Sequence, residues 1–218
     1  MSYPFSFIRL LLITFLFIGC MIAARILVTG TIIHLFLLWN IFLAWIPFIL
    51  SRYFMQYRKK ETWKQFFLFI SWLVFFPNAL YIVTDLIHLK DRGGAPVWYD
   101  AILLFTSSLI GLLMAYASLF RAEKFLQSRL GRRRMVYFMP AIIVIASFGV
   151  YLGRFDRWNS WDVLHNPLGL VADILEYVTD PVENLHTWGT TAVFSAFFYL
   201  MYILSKWVQV ALSKVETK

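Results

Sequence analysis

Residues 62–89 read TWKQFFLFISWLVFFPNALYIVTDLIHL. At about 1.5 Å per residue, a helix over this stretch covers roughly 40 Å, more than the ~30 Å hydrocarbon core of a bilayer. Thr62 and Gln65 fit a capping box at its start. Pro77 and Asn78 then interrupt the apolar run, and Asp85 and His88 follow one helical turn apart. Pro77 has no N–H to donate and crowds the preceding turn. That leaves the carbonyl near Leu73 without its partner, which in hydrocarbon costs several kcal/mol. Asn78 is the nearest side chain able to offer a bond. The expectation is a helix that kinks at Phe76–Asn78 and turns that side toward protein. One reading makes this a packing kink only. The other makes it the wall of an outward cavity with Asp85 and His88 at its mouth, because polar groups at membrane depth are expensive and often functional.

The rest of the chain has the same character. Its 218 residues are 61% hydrophobic and only 15% charged, with a mean hydropathy of +0.70. Ordinary soluble domains carry about 25% charge. Six apolar segments stand out: Pro4–Ala24, Gly30–Ser51, Thr62–Leu89, Pro96–Phe120, Met135–Leu152 and Asp180–Leu212. Pro96 suits the first position of the fourth. The fold class that follows is all-α, a polytopic membrane bundle of about six transmembrane helices forming one integral membrane domain over 1–218. Its first partner is the lipid bilayer. The first segment, with Arg9 before it and Gly19-Cys20 within it, resembles a lipoprotein signal. Phe17 fits such a cleavage site poorly and the apolar run continues, so a retained span is the better reading. A single cysteine, Cys20, excludes an intrachain disulfide and a cysteine-based metal cluster.

The formal charge of +8 is spread as topology demands. Of the 20 basic residues, all but Arg25, Lys90, Arg92, Arg154 and Arg157 fall on one side of the alternating spans. They include Arg52, Arg58, Lys59, Lys60 and Lys64 in one connection and Arg121, Lys124, Arg129, Arg132, Arg133 and Arg134 in another, with Arg9, Lys206, Lys214 and Lys218 at the ends. The positive-inside rule puts that side, and both termini, in the cytoplasm. No recognition motif accompanies the charge, so nucleic acid is not a partner.

Nine of the 12 acids and all four histidines collect on the other side. Three acid-x-x-His pairs occur there: Asp85 with His88, Asp162 with His165, and Glu183 with His186. The i, i+3 spacing sets both side chains on one helix face, and a similar spacing serves di-iron bundles. Solvated pairs at the membrane edge, ligation of a divalent metal by His88, Asp85, His165 and Asp162, and proton chemistry stay open as readings. Residues 151–167, YLGRFDRWNSWDVLHNP, add Arg154 and Arg157, whose guanidinium forks suit phosphate or carboxylate, with Trp158 and Trp161 at interfacial depth. Asp156 between the arginines partly neutralises them. An aromatic belt with local salt bridges is the plain reading. A head-group or small anionic-ligand site is the sharper one. Asn166-Pro167 then open a short amphipathic helix with Leu168, Val171, Leu175 and Val178 on one face, beside Leu170 and Ile174, and with Asp173, Glu176 and Asp180 polar. It should pack over the bundle mouth on the outer face, and Asp180 and Glu183 look like a cap for the sixth span.

FPNALYIVTDLIHL at 76–89, PVWYD at 96–100 and YLGRFDRWNSWD at 151–162 resemble the motifs of an uncharacterised family of bacterial multi-pass membrane proteins, a domain of unknown function. The resemblance rests on Pro77, Asn78, Ala79, Tyr81, Thr84, Asp85, His88, Asp100 and the run Gly153–Phe155 with Arg157–Asp162. Leu80 and Asp156 depart from it. It implies a bacterial inner-membrane location and brings no activity.

The site expected from the sequence therefore comprises Asn78, Asp85, His88, Asp100, Arg154, Arg157, Asn159 and Asp162, with Asp85, His88, Arg154, Arg157 and Asp162 converging. It would take a small anionic ligand, a lipid head group or a metal. Arg9 and Asn40 stand apart from it, and no polar relay runs through the spans, which disfavours a small transporter. A non-enzymatic assembly or envelope-maintenance protein is the alternative. No nucleophile elbow, Cys-His pairing, HExxH or Walker loop is present, so no reaction is assigned. Reporter fusions test the orientation: residues 121–134 should report from the cytoplasm and 153–180 from the opposite side, and a reversed pattern rejects it.

Overall fold

The computed structural model describes residues 6–56, 62–91 and 94–216, with side chains for all of these except 62 and 212–216. Arg58, Lys59, Lys60, Arg92, Lys214, Lys218, Pro4 and the hydroxyl of Thr62 lie outside this description. The described residues form eight α-helices and no strand: α1 (Phe7–Thr29), α2 (Phe36–Gln56), α3 (Thr62–Tyr81), α4 (Val97–Leu130), α5 (Met135–Tyr151), α6 (Asp162–His165), α7 (Pro167–Thr179) and α8 (Leu185–Glu216). Six helical stretches are long and apolar enough to cross a membrane. Leu16, Leu27, Phe66, Phe67, Val193 and Trp207 face outward, an arrangement that suits a lipid bilayer.

Boundaries depart from the sequence reading where a helix outruns its apolar run. α1 continues past Ala24 to Thr29, so Arg25 lies inside it and is buried. It starts where the Ser6 hydroxyl accepts from the Arg9 N–H and ends at Gly30 in the left-handed region, φ 66°. α4 continues past Phe120 to Leu130, so the expected 121–134 connection is mostly helix. Pro96 is its cap residue, in an extended conformation, rather than its first helical residue. α8 begins at Leu185, and 180–184 is a turn in which Asn184 donates from its backbone and side chain to the Asp180 carbonyl.

α2, α3 and α4 form the centre. α5 packs on α3 and α8, and α1 lies against α4. Aromatic rings fill the middle of the centre: Trp72 stacks on Phe76 at 4.7 Å and meets Phe54 edge-on, and Phe54 touches Phe125 at 5.1 Å. Buried serines return their hydroxyls to helix carbonyls, as Ser107 does to Leu103 and Ser147 to Ile143. The basic connections share one end: Arg129 donates to Gln65, whose amide donates to the Phe54 carbonyl, and Arg121 reaches Phe48 and Ser51.

The long third span changes its winding at Ile82, not at Phe76–Asn78. α3 runs through Pro77 to Tyr81, and 82–88 continues as a 3₁₀ helix. The tighter winding lengthens each residue's rise to about 2.0 Å. This segment docks on α4 at small residues. The Ser108 hydroxyl donates to the Ile82 carbonyl at 3.1 Å, and a methyl on Gly111 would sit 3.1 Å from the Ala79 carbonyl. The Pro77 ring presses on Gly149 of α5, where an added Cβ would come within 2.6 Å of it. Without water to drive helices together, such close approach by small residues supplies the packing. Gly149→Ala should therefore destabilise the bundle by about 1–3 kcal/mol, read as a lower melting temperature in detergent. Gly19→Ala, with nothing within 4 Å, should leave it unchanged.

Candidate functional site

The site grows from the 3₁₀ segment. Its winding sets Asp85 fully inside the bundle. Asp85 Oδ2 accepts from Asn40 Nδ2 of α2 at 2.7 Å, and Oδ1 lies 3.4 Å from Arg154 Nη1. Arg154 arrives from the turn after α5. Leu152–Asp156 winds as one π-helical turn, and Arg157, in the left-handed region at φ 63°, reverses the chain. The wider turn inserts a residue and directs Arg154 inward, a role π-turns often play at functional positions. Its guanidinium lies 5.2 Å from the centre of the Tyr81 ring, donates to the Tyr81 hydroxyl at 3.0 Å and donates to the Thr84 carbonyl. Asp85 and Arg154 thus compensate each other, and every donor direction Arg154 uses is taken by α3 or its extension.

A second link ties the same elements together. Ser160 Oγ donates to the Val74 carbonyl at 3.0 Å and accepts from Asn78 Nδ2 at 2.8 Å. The donor expected at Pro77's level of α3 was Asn78. Ser160, from the loop after α5, donates to the adjacent carbonyl, Val74, and Asn78 holds Ser160 in place.

Beside these links lie two adjoining cavities. The larger, about 270 Å³, is walled by Leu73, Pro77, Phe148, Leu170 and Ile174 among others. The smaller, about 80 Å³, is lined by Trp39, Asn40 and Leu43. Both share Asn78, Tyr81, Gly153, Trp158 and Asn159. Hydrocarbon space therefore runs into a polar vestibule of three amides and a phenol.

Helix α7 roofs the larger cavity with Leu170 and Ile174. Its start is capped by Asn166, whose side chain accepts from the Gly169 N–H. Three bonds hold it down: Trp158 Nε1 to Asp173 at 2.8 Å, the Tyr177 hydroxyl to Asp156 at 2.9 Å, and Trp188 Nε1 to the Tyr177 carbonyl at 2.9 Å. Burial, and then the bond to Asp156, push the Tyr177 phenol above its usual range, so it stays a neutral donor. Leu168, Val171, Leu175 and Val178 face away from the bundle. The expected packing over the bundle comes from the neighbouring face of the helix.

Of the residues expected from the sequence, Asp85 and Arg154 meet directly, and Asn78 and Asn159 line the cavities. Asp100 belongs to a different pair: Arg25 grips it with Nε at 2.7 Å and Nη2 at 3.0 Å, with His34 Nδ1 3.9 Å away. Asp162 Oδ2 accepts from the Asn159 backbone N–H at 2.7 Å and fixes that loop. His88 meets the Phe36 ring edge-on at 5.1 Å. Arg157 and His165 are exposed. Among the described residues no group of three or more His, Cys, Asp or Glu side chains is arranged to hold a metal. Asp85 turns to Arg154 and Asn40 rather than to His88.

Asn40, set apart in the sequence reading, is the direct partner of Asp85. Its depth in α2 gave no hint of the pairing, because only the packing of α2 against the 3₁₀ segment closes the distance. Arg25 was missed because the apolar run ends at Ala24; the continuation of α1 to Thr29 puts it inside the bundle, where an arginine needs a buried partner.

A profile of the family described as "Protein of unknown function (DUF1361)" matches residues 39–204. No curated protein and no solved structure matches the chain. The matched region contains Asn40, Asp85, Arg154 and Ser160, and excludes Arg25.

Removing one partner of a buried ion pair strands the other and costs about 3–5 kcal/mol, whereas replacing both with apolar groups is often tolerated. Arg154→Met should accordingly destabilise the protein strongly, and the double variant Asp85→Leu/Arg154→Met should recover much of the loss. Melting curves in detergent read both.

Proposed function

The chain belongs to this family of proteins of unknown function, and from that premise we propose that it is a membrane-embedded binding protein for an amphipathic, lipid-like ligand. The supporting observation is the continuity of the two cavities. An apolar tail fits the larger space between α3, α5 and α7, and a polar head fits the vestibule of Asn40, Asn78, Tyr81 and Asn159. The basic end of the bundle faces the cytoplasm of a bacterial inner membrane, with both termini, and the cavities open to the opposite leaflet. The skewed basic residues support this orientation.

Physical chemistry narrows the ligand. A tail moving from bilayer to cavity exchanges one hydrocarbon environment for another, so it gains little from the hydrophobic effect. Discrimination then rests on the head group. Arg154 is already neutralised by Asp85 and spent on Tyr81 and Thr84, so the vestibule offers neutral amide and phenol groups, not a free cation. A head group rich in hydroxyls or amides suits it best. Toward the basic end the path is filled by Phe54, Phe69, Trp72 and Phe125, which supports binding over conduction. The outward apolar stripe of α7 favours a second reading, a docking surface for a partner in envelope assembly.

Mass spectrometry of lipid carried through purification separates the two. The wild type should retain a distinct amphipathic molecule above its share of the solubilised membrane. Ile174→Trp, which fills the larger cavity, should reduce that at least fivefold, and Val171→Trp on the outward stripe should not. An equal lipid profile in wild type and Ile174→Trp overturns the proposal. A co-purifying protein lost in Val171→Trp supports the docking reading instead.

A further inference from the structure

At the basic end a separate cavity of about 350 Å³ opens between α5 and α8, beside the end of α4. Its wall is apolar: Met135, Val136, Met139 and Ile203 line it. Its rim is charged. Lys206 Nζ lies 2.6 Å from Glu123 Oε1 and 3.1 Å from the Tyr202 hydroxyl, so Lys206 and Glu123 offset each other. Arg132 completes the rim, is exposed and makes no ion pair among the described residues. The rim therefore carries one uncompensated positive charge, with Arg133 and Arg134 continuing the same short helical turn. Outside the groove, Tyr137 and Trp207 are exposed on α5 and α8, which sets its mouth at the amphipathic depth that aromatic residues favour.

We propose that this groove is a site for an anionic phospholipid of the adjoining leaflet. The phosphate sits against Arg132, and one acyl chain lies along Met135, Met139 and Ile203. Basic pockets between spanning helices commonly receive anionic head groups in this way. The flexible thioethers of Met135 and Met139 adapt to a chain without a fixed shape. A free phosphate ion would use the rim and leave the apolar wall uncovered, so the lipid is the better match. This site is remote from the cavity under α7 and does not depend on its occupant.

The test uses delipidated full-length protein in detergent, titrated with phosphatidylglycerol or phosphatidylcholine and read by melting temperature. Phosphatidylglycerol should stabilise the wild type and phosphatidylcholine should not. Arg132→Gln should weaken the phosphatidylglycerol response about fivefold, the effect of one basic group near an anionic surface, and Arg132→Lys should keep most of it. Val136→Trp, crowding the groove from an exposed position, should weaken it as well. Lys124→Gln, basic and exposed at the same end but outside the groove, should have no effect. Equal responses to the two lipids overturn the site, as does a loss in Lys124→Gln matching that in Arg132→Gln. Displacement of phosphatidylglycerol by inorganic phosphate at millimolar concentration, with Val136→Trp unaffected, reassigns the rim to a free anion.

Discussion

A buried carboxylate in hydrocarbon must be neutralised or bonded, and in this protein that requirement organises one whole end of the bundle. Asp85 lies at full burial on a tightly wound extension of the third span. Asn40 reaches it from α2 and Arg154 from the turn beyond α5. Three segments far apart in the chain are thereby held at one point. The tie by Ser160 to Val74 and Asn78 repeats the device two to three turns earlier in the same span. Leaving such groups unpaired would cost several kcal/mol each, a large share of the 5–15 kcal/mol that keeps a typical domain folded.

This fastening leaves space rather than filling it. The loop after α5 is pulled toward α3 by its polar ties. Pro77 against Gly149 brings the two helices close at one level. Beside that contact lies the larger cavity, which α7 covers with two aliphatic side chains. Polar residues needed to anchor the loop then become the rim of the cavity, because Asn78, which holds the Ser160 hydroxyl, also borders the empty volume. Structural and ligand-facing roles fall on the same residues, Asn78 and Tyr81 among them.

The two ends of the bundle differ in chemistry for separate physical reasons. At the basic end, charges sit on extensions of α4 and on the turn before α5, where α4 outruns the hydrocarbon. A helix of 34 residues spans about 51 Å, so its last turns carry arginines clear of the apolar layer. At the other end two ion pairs point inward, Arg25 with Asp100 and Arg154 with Asp85, while Arg157 stays exposed. A surface charge needs only water. An inward one needs a partner fixed in advance.

The sequence alone determined the number and nature of the spans, because long apolar runs admit only helices when no water is present to satisfy the backbone. It also determined the amphipathic helix after Asn166-Pro167, through cap chemistry and periodicity that are local. It pointed to Asp85, Arg154, Asn78 and Asn159 as members of one polar cluster. Their partners were decided by tertiary structure. Asp85 and His88 share a spacing that reads as a pair, yet 3₁₀ winding and the approach of Arg154 separate their roles. Asn40 and Ser160 become partners through helix packing, and Asp100 goes to Arg25 because α1 runs a turn further than its apolar segment. Local patterns record what one segment prefers, whereas which charge meets which is set by the distances between segments, and those exist only in the folded bundle.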